Sequence, residues 1–172
     1  MNGDAASLRA AMKTRYGSVA TTRRQDEGCS INLDGLGHRV VLRGEGLSLL
    51  VAPQRRSSAE EAPDCLVIGT HAGGPILGVV ELKSKTASAS NVQQKLVNGI
   101  HDANEALAAC GRTPNLSRTY PIVLAKSRRA SAFQVLASRE LRVGATRLRV
   151  TVGACGDRLT DIVDKVDRRP RQ

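Results

Sequence analysis

Apolar and polar positions along the chain change period several times. Residues 4–15 (DAASLRAAMKTR) place Leu8, Ala11 and Met12 at helical spacing and predict a short helix with Asp4 at its N-cap. Residues 17–28 are polar and read as a loop. From Cys29 the period shortens. CSINL (29–33) and HRVVLR (38–43) predict two strands joined at the turn Asp34-Gly35-Leu36-Gly37. GLSLLVA (46–52) reads as a third short strand, and PQRRSSAEEAP (53–63) as a polar loop bounded by prolines.

The run DCLVIGTHAGGPILGVVELKSK predicts a hairpin. Asp64 to Thr70 and Ile76 to Lys83 are β-rich, and Ala72-Gly73-Gly74-Pro75 lies between them. Residues 91–110 then return to a helical period, with Val92, Leu96, Ile100, Ala103 and Leu107 on one face, Ser90 as N-cap and Gly111 as the stop. A strand at 119–127, a helix at 131–141, a strand at 146–154 and a short helix at 159–166 complete the pattern. The order predicts an α/β (α+β) fold with a mixed central sheet flanked by helices, in a single domain over residues 1–166 with a basic tail at 167–172.

Composition narrows the classes. The chain has 172 residues, of which 41% are hydrophobic, enough for one core of ordinary size. No apolar run approaches the ~20 residues of a membrane helix, and residues 1–17 lack the apolar segment of a secretory signal, so a cytoplasmic protein is expected. Lys and Arg total 26 against 16 Asp and Glu, a formal net charge of +10, and arginine supplies most of it. This balance suits a nucleic-acid partner, because Lys and Arg displace the counterions condensed on phosphates. Aromatics are only 2%, which argues against single-strand binders that stack bases on aromatic platforms. Cys29, Cys65, Cys110 and Cys155 show no metal-knuckle spacing, and the expected state is four small reduced thiols. His38, His71 and His101 form no ligand pattern, and His71 and His101 read as surface residues.

The hairpin register carries the candidate chemistry. With the turn centred near Ala72-Gly73, residues whose numbers sum to about 145 lie opposite one another and share a face. Asp64 then faces Glu81, and Lys83 joins them two residues along the same strand. Cys65, Val67, Val80 and Leu82 take the other face. Two close carboxylates suit Mg²⁺ or Mn²⁺, hard cations that accept oxygen ligands and retain waters. Such an ion polarises a phosphoryl oxygen and acidifies bound water. Lys83 can serve that water or the charge on the phosphate.

Pro63-Asp64, a gap of 16 residues, and Glu81-Leu82-Lys83 resemble the signature of the PD-(D/E)XK nuclease superfamily, the restriction-endonuclease-like fold. The resemblance covers about residues 38–127. It implies that Asp64 and Glu81 hold the metal with the Leu82 backbone carbonyl as a further ligand. It also implies that Lys83 is the catalytic lysine and that Gln93 or Gln94, near the start of the following helix, touches the site. A third acidic ligand is open among Glu45, Glu60 and Glu61. Lys85, Lys95 and the pairs Arg55-Arg56 and Arg128-Arg129 are expected phosphate contacts on charge alone.

The expectation is a divalent-metal-dependent nuclease that hydrolyses phosphodiester bonds, in DNA before RNA, as a homodimer or beside a partner protein. The alternative is a catalytically inactive module of the same fold that binds nucleic acid or a protein within a larger complex. The bland reading of Glu81, Lys83 and Lys85 is the solvated side of a half-exposed sheet.

Overall fold

A computed structural model describes residues 2–22, 25–26, 28–55, 62–83, 88–113, 115, 118–127 and 131–168. The chain begins with helix α1 (Asn2–Tyr16), followed by the short strands β1 (Gln25–Asp26) and β2 (Cys29–Ser30). Strand β3 (Gly37–Arg43) runs directly into helix α2 (Gly44–Val51), and a 3-10 turn spans Pro53–Arg55. The hairpin β4 (Cys65–His71) and β5 (Gly74–Lys83) leads into helix α3 (Ala89–Ala109) and strand β6 (Thr119–Ala125). Helix α4 (Ser131–Ser138), the small ladder β7 (Glu140–Val143) and β8 (Thr146–Arg149), strand β9 (Thr151–Ala154) and helix α5 (Leu159–Asp167) close the order.

The central sheet runs β3-β4-β5-β6-β9. Its first three strands are antiparallel, and β5, β6 and β9 are parallel. The change of direction follows from the connections. A two-residue turn suffices between β4 and β5, whereas β5 reaches β6 through the α3 crossover that a parallel pair requires. Both residues of the tight turn have positive φ, Ala72 at 48° and Gly73 at 80°, the combination that matches the twist of a two-residue hairpin.

Both faces of this sheet are covered. Leu42, Leu66, Val79 and Val123 pack against Met12, Leu47, Leu96, Ile100 and Leu136 of the helices α1 to α4. On the opposite face Val67, Val80 and Ile122 meet Ile31, Leu33 and the α5 residues Leu159, Ile162 and Val163. The strands β4 and β5 are therefore buried almost end to end and read as near-continuous apolar runs. All five residues expected on the inner face of α3 are buried. Gly111, at φ 72°, ends that helix, with the Arg112 amide donating to the Leu107 carbonyl.

Several expected elements take another form. GLSLLVA is helix α2, because Leu47 and Ser48 turn inward while Leu49 and Leu50 stay half exposed; a short apolar run carries no period that separates strand from helix. CSINL does not form a hairpin with HRVVLR. Cys29–Ser30 pairs with β1, and β3 pairs with β4. The expected strand 146–154 is two strands in two different sheets, and the expected helix 131–141 stops at Ser138 before β7. Helix α3 starts at Ala89 with Ser88 in the N-cap position, and Asp4 lies inside α1. Cys29 and Cys155 form a disulfide, so only Cys65 and Cys110 are free thiols. No helix among the described residues is long and apolar enough to cross a membrane.

Candidate active site

The β4–β5 register is the one that a turn centred at Ala72-Gly73 predicts. Cys65 pairs with Val80 and His71 with Gly74, each summing to 145. One step beyond the Cys65 rung the backbone of β4 has turned away, and the Asp64 side chain supplies the missing acceptor. The Leu82 amide donates to Asp64 Oδ2 at 2.6 Å. Pro63 precedes Asp64 and packs closely on two glycines. A Cβ on Gly44 would lie 1.9 Å from the Pro63 carbonyl oxygen, and one on Gly99 would lie 2.5 Å from Pro63 Cγ. Glycine is thus required on α2 and on α3 for the chain to pass between them. The Gly44 amide also donates to the Asp64 carbonyl at 3.3 Å.

Glu81 stands on the same face as Asp64 and is fully buried. The solvated-face reading of this residue is therefore excluded. A carboxylate at such a position needs ionic partners, because desolvation of a lone charge costs several kcal/mol. Two lysines provide them, both at Oε1. Lys83 comes from the same strand, and Lys95 reaches across from α3 at 3.0 Å. Glu81 Oε2 is buried without a hydrogen-bond partner. Glu81, Lys83 and Lys95 form one ionic set, and Asp64 is joined to the neighbouring residue of the same strand through the Leu82 amide. Lys83 keeps 21% of its side chain exposed and Lys95 only 10%, so Lys83 is the one a ligand can reach.

Cys65 lies behind this cluster on the other face. Burial pushes its thiol up to about 12, and the negative charges of Asp64 and then Glu81 add to the rise. It is a packing residue and an inert thiol at neutral pH.

The donor set suits a hard cation. Asp64 and Glu81 would hold it, and the unpartnered Oε2 is an oxygen already stripped of water. Mg²⁺ is commonly bound by one or two carboxylates with waters and substrate phosphates completing its shell. No cluster of three or more His, Cys, Asp or Glu occurs among the described residues.

The remaining expected residues divide. Leu82 lies at Asp64 through the hydrogen bond that its backbone N–H donates to the carboxylate. Lys95, expected as a phosphate contact, is buried on Glu81 instead. Its position within the apolar spacing of Val92, Leu96 and Gly99 is the signal that marks it as inward-facing. Gln93 is not bonded to the cluster but accepts from Arg139 at 2.9 Å, and Gln94 is exposed and donates to Asn98. Glu45 is exposed in the first turn of α2. Lys85, Arg56, Arg128, Arg129, Glu60 and Glu61 lie outside the described residues, as does the side chain of Arg55. His71 is half-buried and bonds Asp164 Oδ1 at 2.7 Å, which corrects its reading as a surface residue, whereas His101 is exposed as expected. No protein-family model, curated protein or solved structure matches this chain.

Proposed function

We propose that this protein is a divalent-metal-dependent nuclease of the PD-(D/E)XK type, acting on phosphodiester bonds in DNA. One observation carries the reading. A fully buried glutamate on the central strand has both lysines on one oxygen and none on the other, with a second carboxylate tied to the next residue's amide. A purely structural ion pair would gain from using both oxygens, since an unmatched buried acceptor costs about 1–3 kcal/mol.

In this reading Asp64 and Glu81 hold Mg²⁺ or Mn²⁺. The bound ion supplies Lewis-acid polarisation of the phosphate and an acidified water. Lys95 fixes the Glu81 carboxylate from the α3 side. Lys83 presents its ammonium at the more open edge, where it can donate to the charge that builds on the phosphate during in-line displacement. The net charge of +10 favours approach of a polyanion.

The test is cleavage of supercoiled plasmid and linear DNA with Mg²⁺ or Mn²⁺, wild type beside Glu81→Ala and Lys83→Ala. Metal-dependent cutting that disappears in both variants is the expected result. The complete burial of Glu81 favours a second reading, a non-catalytic module that keeps the ionic cluster as scaffold. Folded wild type that binds DNA with steep salt dependence but never cuts DNA or RNA would establish that reading instead.

A further inference from the structure

A cleft of about 730 Å³ opens at the other end of the sheet, around the β4–β5 turn and the start of β6. It is independent of the Glu81 cluster. Gly74 and Glu81 are seven residues apart on one strand, roughly 23 Å at the usual rise of a β-strand. The volume is within the ~300–1,000 Å³ of small-molecule sites.

The lining is sharply divided by chemistry. Leu8, Ile68, Ile76, Leu77 and Leu107 give it an apolar body. Arg112 and Arg118 give it positive charge, and no Asp or Glu is among the described residues that line it. His71 also lines it, but its ring is paired with Asp164 of α5. Arg118 is anchored by donating from Nη2 to the His71 carbonyl at 2.8 Å, and Arg112 by donating to Ser7 Oγ at 2.7 Å. The Arg118 guanidinium is therefore held before any ligand arrives, by its part-buried bond and by the Tyr120 phenol, whereas the Arg112 bond is exposed. One donor on the cleft residues is buried without a partner, Arg118 Nε. A donor already stripped of water meets an anionic occupant without a further desolvation cost.

We infer that this cleft binds a small amphipathic anion, a carboxylate or phosphate monoester carried on an apolar body, with Arg118 and Arg112 at the anionic group. Guanidiniums recognise both head groups through paired N–H donors, and an apolar body is needed to fill the aliphatic wall. The two sources of this chemistry are an acyl carboxylate and a nucleoside monophosphate.

The experiment is calorimetric titration of the full chain with decanoate, AMP, decanol and inorganic phosphate, with backbone amide shifts recorded in parallel. Decanoate binding about tenfold tighter than decanol assigns the acyl source. AMP binding about tenfold tighter than inorganic phosphate assigns the nucleotide source. In either case Arg118→Gln should remove the advantage, and the shifts should centre on Gly73, Gly74 and Asn104. If Arg118→Gln does not fold, Arg112→Gln at the same cleft serves, with at least a threefold loss expected. Neither anion exceeding its control, an advantage unchanged in the folded variant, or shifts centred on Glu81 and Lys83 would each overturn the inference.

Discussion

The Asp64 carboxylate closes the β4–β5 ladder through the Leu82 amide, 18 residues along the chain and 2.6 Å away. The bond makes Asp64 a structural cap as well as a candidate metal ligand, and substitutions separate the roles. Asp64→Ala leaves the Leu82 N–H without its acceptor and should cost about 1–3 kcal/mol. Asp64→Asn keeps an acceptor and should cost less. Urea unfolding ranks the two, while metal-dependent DNA cleavage should be lost in both, because only the carboxylate binds a hard cation well.

Lys95 should matter for stability more than any exposed lysine does. Lys95→Met removes the ammonium but keeps the stem, and leaves Glu81 with Lys83 alone. Breaking one arm of a buried ionic set should cost about 3 kcal/mol, against at most ~1 kcal/mol for an exposed pair such as Glu140 with Arg147. Adding Glu81→Gln to Lys95→Met should recover part of the loss in a double-mutant cycle. Simple additivity of the two would show that the residues do not act as a pair.

Gly99 tests how closely α3 must approach. Alanine is the better helix former by about 1 kcal/mol. Yet its Cβ would lie 2.5 Å from Pro63 Cγ and 2.8 Å from Val79 Cγ1. Overpacking of this kind costs about 1–3 kcal/mol and should win over propensity. Gly99→Ala is expected to lower the urea midpoint, and to impair cleavage further by shifting Pro63 and with it Asp64. A midpoint at or above wild type would contradict this account.

The Cys29–Cys155 disulfide closes a loop of 126 residues between β2 and the end of β9. Loop-closure entropy alone predicts a stabilisation near ~5 kcal/mol, and measured values usually run about 2–4 kcal/mol. Reduction, or Cys29→Ser with Cys155→Ser, should lower stability by that order in equilibrium unfolding. Alkylation after unfolding without reductant should label two thiols, Cys65 and Cys110, since these are the free ones.

Alkaline pH should weaken the fold through Tyr120. Burial, the hydrogen bond it donates to Asp167 at 2.8 Å and the charge of Asp167 push its phenol from 10 up to about 12, with Arg118 opposing. The folded chain therefore keeps a proton that the unfolded chain loses near pH 10. That contribution is fully present below pH 10 and is lost as pH rises through about 12. Cys65, raised from 9 to about 12, acts in the same direction from pH 9 upward. Urea midpoints measured between pH 8 and 12 should fall less steeply in Tyr120→Phe, with Cys65→Ala as the companion variant.

What the sequence determined by itself is local. The Gly-rich turn was enough to set the β4–β5 register, because a two-residue loop fixes which residues stand opposite one another along both strands. The same register put Asp64 beside the Leu82 amide, next to the Glu81–Lys83 pair along β5. Helical spacing likewise identified the inner face of α3 and its stop at Gly111. The mixed sheet followed from the order of the elements. Tertiary structure alone decided the identity of α2, whose short apolar run suits either a strand or a helix until packing buries Leu47 and exposes Leu49. It also decided that Lys95 and not Gln93 or Gln94 meets Glu81, since that depends on how far α3 is rotated and on Gly99 letting it approach. The Cys29–Cys155 bond and the arginine-lined cleft join segments more than a hundred residues apart or from three separate elements. No spacing along the chain encodes such contacts. They exist only once the two faces of the sheet have been covered and distant chain segments are held within bonding distance.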